Sequence, residues 1–264
     1  MFTIDKYVVA ESLDQAYELN KNRRNVIIGG TLWLKMGRKK INTAIDLSSL
    51  GLNSIEEDDE CFKIGCMCTL RDIETHEGLK ESFNDVLAKS VESIVGVQMR
   101  NLATIGGSIY SRFGFSDILT ALMALDTYVE LYKGGVISLE QYADMPLDND
   151  ILVRIIIKKD NRKVVYTSQR KSATDFPVLS CAVANKENEW YVVHGARPMK
   201  AKLSKFSLSR NPSHEEIAEA VKKVSSLTSF GSNMRGSKEY RKVLAEVLAK
   251  RSMEELLEGG NYAN

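Results

Sequence analysis

Nothing in these 264 residues reads as a membrane span, because no apolar run approaches the ~18 residues a spanning helix needs. Charge of one sign is missing too: 36 Lys and Arg face 35 Asp and Glu, a formal +1. Nucleic-acid and polyanion binders normally carry a basic excess, so no nucleic-acid partner is expected. The first residues, Met1 to Ser12, have neither a basic n-region nor a long apolar stretch. No signal peptide is expected, and a cytoplasmic location follows. Cysteine is scarce, four residues irregularly placed, which excludes a disulfide framework.

Several chemical fingerprints are absent as well. There is no GxGxxG dinucleotide turn, no GxxxxGK[ST] phosphate loop, no GxSxG and no HExxH. His76, His194 and His214 are scattered, so neither a hydrolytic triad nor a zinc protease is indicated. Cys66-x-Cys68 would put two sulfurs on one strand face, but no second pair completes a compact four-ligand set. The cysteines read as small core residues, and no metal site is expected. The acidic run 58–60 and the basic run Arg38-Lys39-Lys40 read as solvated turns.

What is present is an ordinary globular composition, 44% hydrophobic and 27% charged, enough for one large domain or two modest ones. Up to about residue 145, short β-branched runs alternate with amphipathic stretches. Ser12 caps a helix; Val26-Ile27-Ile28, Thr43 to Leu47 and Cys61 to Cys68 read as strands. Thr69 with Asp72 forms a capping box. Leu79 to Val95 has the spacing of one helix, Ser116 caps Asp117 to Leu125, and Gly134-Gly135 reads as a hairpin turn. This is an α/β pattern. The tail has four strand-like runs, Ile151–Lys158, Lys163–Gln169, Val178–Asn185 and Trp190–His194, then helices opened by Ser213, Ser237 and Ser252. Strands first and helices after give an α+β region, with the division expected between domains 1–160 and 161–264.

Two segments match each other: Asn25-Val-Ile-Ile-Gly-Gly-Thr31 and Asn101-Leu-Ala-Thr-Ile-Gly-Gly-Ser108. Glycine pairs let backbone N–H groups turn outward together and let a ligand approach without meeting a Cβ atom. Such a nest suits a diphosphate, and the hydroxyl that follows adds a donor. Each pair can equally be a plain strand-to-helix turn, so the residues stop at a possible nucleotide cradle. Trp33, beside the first loop, could stack on a base; core packing is its expected role.

Three strings stand in order: Ile-Ile-Gly-Gly-Thr-Leu-Trp-Leu (27–34), Ile-Gly-Cys-Met-Cys-Thr-Leu-Arg-Asp-Ile (64–73) and Arg-Asn-Leu-Ala-Thr-Ile-Gly-Gly-Ser-Ile (100–109). They resemble the FAD-binding domain of the molybdopterin dehydrogenases, which include xanthine dehydrogenase and the carbon monoxide dehydrogenase medium chain. Residues 116–126, Gly195 to Ala201 and Arg235 to Lys242 extend the resemblance over nearly the whole chain. It implies an α+β fold: a two-part α/β FAD domain of the PCMH type, then an antiparallel sheet with helices. It assigns FAD contacts to Ile27, Ile28, Gly29, Gly30, Thr31, Leu32 and Trp33, and to Thr104, Gly106, Gly107 and Ser108. Asp117 falls where relatives hold the adenosine ribose, and Leu152 where an apolar residue lies on the flavin.

The implied role is electron relay in a heteromeric complex. A molybdenum-cofactor subunit oxidises the substrate, an iron–sulfur subunit with 2Fe-2S clusters passes electrons to FAD, and NAD is the expected acceptor. No catalytic side chain is required. No histidine or cysteine stands in either glycine loop, so the FAD is expected to be noncovalent. Leu32 replaces an acid common in relatives, Ser108 replaces their Asn, and there is no four-cysteine insertion. A non-catalytic nucleotide-binding or assembly module that has lost flavin is the alternative reading.

Overall fold

The computed structural model describes residues 1–259, and its chain builds three sheets in succession. The first lobe is the smallest. Strand β1 (Thr3–Val9) leads into helix α1 (Leu13–Asn20), then β2 (Val26–Ile28), α2 (Leu32–Lys35) and β3 (Lys40–Asp46). They form a parallel sheet of order β1-β3-β2. Ser12 opens α1 by accepting from the Gln15 N–H at 3.1 Å. β1 had no recognisable pattern in sequence because it is an edge strand exposed along nearly its whole length. With neither face buried, it shows no period of two.

The second lobe holds β4 (Ile55–Glu57) and β5 (Cys61–Gly65), then a run of short helices. These are α3 (Leu70–Thr75), α4 (Glu77–Phe83), α5 (Val86–Glu92), α6 (Val97–Arg100), α7 (Ile105–Tyr110) and α8 (Asp117–Ala124). The hairpin β6 (Thr127–Leu131) and β7 (Gly135–Ser138), α9 (Leu139–Asp144) and β8 (Leu152–Lys158) complete it. The α/β alternation is therefore parallel only in the first lobe; this sheet, of order β4-β5-β8-β6-β7, is antiparallel.

Two expectations are corrected here. The run beginning at Ile151 does not join the tail's strands: β8 lies at the centre of the second lobe's sheet, between β5 and β6, with Leu152, Val153, Ile155 and Ile157 buried. The single helix over Leu79–Val95 is two, α4 and α5. Asn84 and Asp85 both take left-handed backbone, with φ of 49° and 58°, a conformation their short polar side chains tolerate. Phe83 on one side of the break and Val86 and Leu87 on the other all stay buried. The helical spacing survives a corner because each half buries its own face.

The last region is a meander of β9 (Lys163–Gln169), β10 (Leu179–Lys186), β11 (Glu189–Gly195) and β12 (Lys202–Ser207), ordered β12-β11-β10-β9. Two helices follow, α10 (His214–Leu227) and α11 (Lys238–Leu257). The capping box at Ser213 and Glu216 opens α10 as expected. Ser252 does not open a third helix. It is buried inside α11, its hydroxyl 3.3 Å from that of Thr167, so its polarity serves a tertiary contact and not a cap.

This sheet is covered on both faces. Val183 and Val192 pack against α10 and α11, through residues such as Ile217, Ala245 and Met253. Ala182, Ala184 and Val193 face the other way, into the core of the N-terminal lobes. Between the two regions runs α8, every residue of which is buried, Asp117 and Thr120 included. Among the described residues, no helix is long and apolar enough to cross a membrane.

Candidate cofactor site

The first glycine loop leaves β2 at Ile28 and enters α2 within three residues. Thr31, the residue before α2, has φ of 57°, and its hydroxyl makes no capping bond. Among the described residues, the backbone N–H groups of Gly30, Thr31, Leu32 and Trp33 find no acceptor. Four neighbouring donors are thus left without a partner in the chain at the start of a helical turn, the arrangement from which anion nests are built.

The second loop is closed on itself. The N–H groups of residues 105–108 are all used: Ile105 donates to the Cys68 carbonyl and Gly106 to that of Cys66, each at 2.9 Å. Ser108 N–H donates to the Thr104 carbonyl at 3.1 Å, and Gly107 N–H to Thr104 Oγ1 at 3.2 Å. Ser108 Oγ also donates to the Thr104 carbonyl, at 3.0 Å, so this serine is not a free donor.

Three of the four glycines serve close packing. A Cβ on Gly30 would overlap the Leu102 carbonyl; one on Gly29 would stand 2.6 Å from Thr104 Oγ1; one on Gly106 would stand 2.5 Å from the Cys66 carbonyl oxygen. The two loops thus touch backbone to backbone. Gly107 differs: an added Cβ would meet only Thr104 Oγ1, at 3.2 Å, and otherwise open space.

Beside this contact lies a cavity of about 510 Å³. Seven of the expected site residues share it: Ile27, Ile28 and Gly29 from the first loop, Thr104, Gly106 and Gly107 from the second, and Leu152 from the start of β8. Met67, Cys66 and Tyr110 add to the wall, with Leu147 to Ile151 opposite. Exposed Arg23 and Lys39 line it as well, so the basic run read as a solvated turn also supplies a charge to the cavity. Tyr110 is tied to the far wall by its hydroxyl, which donates to the Asp148 carbonyl. Sequence reasoning missed Tyr110, Asp148 and Arg23. Fold contacts bring them in, and no local motif marks them.

Trp33 is not packed in the core, as was expected; it is 47% exposed. Its ring joins Phe113, Phe115 and Phe176 at centroid distances of 5.6, 6.0 and 6.2 Å. These four rings line a second cavity, of about 480 Å³. Gly30, Thr31 and Leu32 are the chain between the two cavities.

Asp117 lines neither. Its carboxylate is buried at the seam with the C-terminal sheet, where Oδ1 accepts from the Tyr166 hydroxyl and lies 2.9 Å from Arg170 Nη2. That guanidinium approaches off the hydrogen-bond axis, and its Nη2 and Nε lack a bonded acceptor. Burial pushes the Asp117 carboxyl up from its ordinary value, against the pull of Arg170 and Tyr166. No partner in the described chain takes its second oxygen.

The cysteines are core residues, as expected, though Cys66 and Cys68 lie past the end of β5, not on it. Burial holds both thiols neutral, pushed up to about 12 and about 11. Cys66 acts through its backbone, as the acceptor that fixes Gly106.

Residues 2–159 match the model of the FAD binding domain in molybdopterin dehydrogenase, and residues 165–256 that of the CO dehydrogenase flavoprotein C-terminal domain. The glyceraldehyde dehydrogenase medium chain of Sulfolobus acidocaldarius is 25% identical over 95% of this chain and 97% of its own length. Protein YgfM of Escherichia coli, described as uncharacterized, is 26% identical over 93% of each. Among solved structures, quinoline 2-oxidoreductase from Pseudomonas putida superposes with a TM-score of 0.84 at 18% identity, over 99% of this chain and 100% of that one. A carbon monoxide dehydrogenase chain from Hydrogenophaga pseudoflava gives 0.86 at 18% identity, over 96% and 97%. With the loops joined, the cavity beside them, and the matched regions spanning nearly the whole chain, the chain belongs to the FAD-binding family of the molybdopterin dehydrogenases.

Proposed function

We propose that this chain is the noncovalent FAD-holding, electron-relaying subunit of a cytoplasmic molybdenum hydroxylase complex. One observation carries the reading: the four unpaired amides of Gly30 to Trp33 stand between a cavity lined by Leu152 and an aromatic one lined by Trp33. A dinucleotide has that order of parts, with a charged diphosphate between two planar ends.

In this reading the amides of residues 30–33 and the Thr31 hydroxyl hold the diphosphate. Gly107 leaves its face clear. Ile27, Ile28, Met67 and Leu152 exclude water from the flavin end, and Arg23 and Lys39 draw the anionic ligand inward. Asp117 offers its unpartnered oxygen to the ribose, while Tyr166 and Arg170 fix the other. Ser108 braces the second loop from within. Bound FAD supplies the exchange between single electrons and electron pairs. The partners are a 2Fe-2S subunit that delivers electrons and a molybdenum-cofactor subunit that oxidises the substrate, and NAD is the acceptor. The medium-chain name of one relative and the name of a second, the 6-hydroxypseudooxynicotine dehydrogenase complex subunit alpha, support a heteromeric assembly.

The test is reconstitution of the full chain with FAD, followed by anaerobic stopped-flow. NADH should bleach the flavin absorbance, while xanthine and simple aldehydes should leave it unchanged. Acid precipitation should release the flavin to the supernatant. Reduction by an organic substrate without partners would sink the relay reading; flavin retained in the pellet would sink noncovalent binding; indifference to NADH would remove NAD alone.

A further inference from the structure

The second cavity is built from both domains. Trp33, Phe113 and Phe115 come from the N-terminal lobes, and Phe176, Met199 and Arg235 from the C-terminal region. Its rings are ordered. Phe113 and Phe115 stack at 5.0 Å and 13°, Phe176 meets Phe115 edge-on at 4.9 Å, and Trp33 faces Phe176 at 6.2 Å and 24°. Trp33, Phe113 and Phe176 are 47%, 39% and 41% exposed, so three large apolar rings present area to water around one hollow. Clustered exposed rings of this kind mark a binding site.

Two further features define the occupant. Arg235 lies with its guanidinium 5.1 Å over the Phe176 ring, and its Nε is buried with no acceptor. The occupant therefore combines flat π-faces with an acceptor at its edge. The cavity also begins at Trp33, whose own N–H belongs to the unpaired set of residues 30–33. A ligand held there continues directly into an anion nest.

Resting on the FAD reading above, we propose that this cage holds the adenine ring of the dinucleotide and that Phe176 and Arg235 make the C-terminal domain a direct part of the cofactor site. Adenine stacks by its faces on rings without needing a sequence-coded edge, and its ring nitrogens accept from a donor such as Arg235 Nε–H. The cofactor then bridges the domain seam that α8 and the Asp117–Tyr166–Arg170 contact already form.

The experiment uses the apo full chain and two probes, ADP and FMN, with tryptophan fluorescence as the signal. The sequence has two tryptophans, and Trp190 is 1% exposed, a silent reference beside Trp33. ADP should quench the emission, FMN should compete with it only through the shared phosphate nest, and Trp33→Leu should abolish the response. Phe176→Ala and Phe176→Leu, at an exposed position, should each weaken FAD and ADP by roughly 10-fold, the size of one lost base–aromatic stack, and leave FMN and the melting temperature unchanged. Quenching by ADP in a chain that takes up no FAD would support the cage and sink the flavin reading. Normal FAD uptake with no ADP quenching and no effect at Phe176 would overturn the cage alone, leaving the rings as a surface for a protein partner.

Discussion

In the loop that follows β2, the N–H groups of residues 30 to 33 lack acceptors, while in the loop that opens α7 those of residues 105 to 108 all have one. Both carry two glycines and a hydroxyl after an apolar lead-in, so their sequences alone do not separate them. The difference comes from what lies behind each. Loop two sits on the Cys66–Cys68 segment, whose carbonyls take the Ile105 and Gly106 donors, while Thr104 takes those of Gly107 and Ser108. Loop one has only loop two behind it, touching through Gly30, and the Leu102 carbonyl stands where a Cβ would be. One loop is the frame, the other the grip.

Breaking the contact between them should have the largest effect. Gly30→Ala forces a methyl into the Leu102 carbonyl, with backbone on both sides and no flexible side chain to yield. Overpacking of this sort costs ~1–3 kcal/mol, or roughly 2–10 °C in a chain of this size. FAD affinity should fall by more than ~100-fold as the loops part. A thermal melt with and without FAD decides it: an unchanged melting temperature would mean the loops tolerate separation.

The next test reverses the pattern. Gly107→Val adds a side chain toward open space, so fold and melting temperature should hold to within roughly 2 °C. If the Gly107 face borders the diphosphate, FAD should weaken by ~100-fold, read from flavin fluorescence on titration. A variant that binds FAD normally would make Gly107 a turn residue and nothing more.

The sequence made some of this legible and hid the rest for physical reasons. The capping boxes at Thr69 and Ser213, the hairpin at Gly134-Gly135 and both glycine loops are local, set by bonds within a few residues. Six of the seven expected site residues in the cavity lie on the glycine loops, and the seventh, Leu152, is carried there by β8. The wall from Leu147 to Ile151 and the Phe176 ring reach their places through sheet order and domain packing, which no local pattern encodes. Trp33 misled for the same reason. An aromatic after a strand reads as core unless one knows that three phenylalanines far along the chain, Phe113, Phe115 and Phe176, surround it outside the core. Asp117 sits at the helix start the sequence indicates, yet its main partners, Tyr166 on β9 and Arg170 just past it, come from the C-terminal region.

A smaller effect separates the two threonines. Thr104→Ala removes the oxygen that accepts from Gly107 N–H and caps α7, at a cost of about 1 kcal/mol. The frame should loosen, lowering the melting temperature by roughly 2–4 °C, with FAD weakened by less than ~10-fold. A loss as large as that of Gly107→Val would mean that Thr104 meets the cofactor directly.

Thr31→Gly should give the smallest change and the most telling sign. Thr31 is β-branched yet held at φ 57°, a left-handed conformation that costs a non-glycine residue ~1–2 kcal/mol, and its hydroxyl makes no capping bond within the chain. Glycine removes that strain but adds back ~0.5–1 kcal/mol of unfolded-state freedom. The apo chain should therefore gain up to about 1 kcal/mol, a rise of roughly 1–3 °C in melting temperature. If the hydroxyl donates to the diphosphate, FAD should at the same time weaken by ~2- to 10-fold, the worth of one hydrogen bond. Stability and affinity would then move in opposite directions, which marks strain maintained for binding. Thr104→Ala lowers both, because its oxygen works inside the fold. If Thr31→Gly also lowered both, the grip and the frame would be the same kind of loop, and the distinction drawn from their hydrogen bonds would fail.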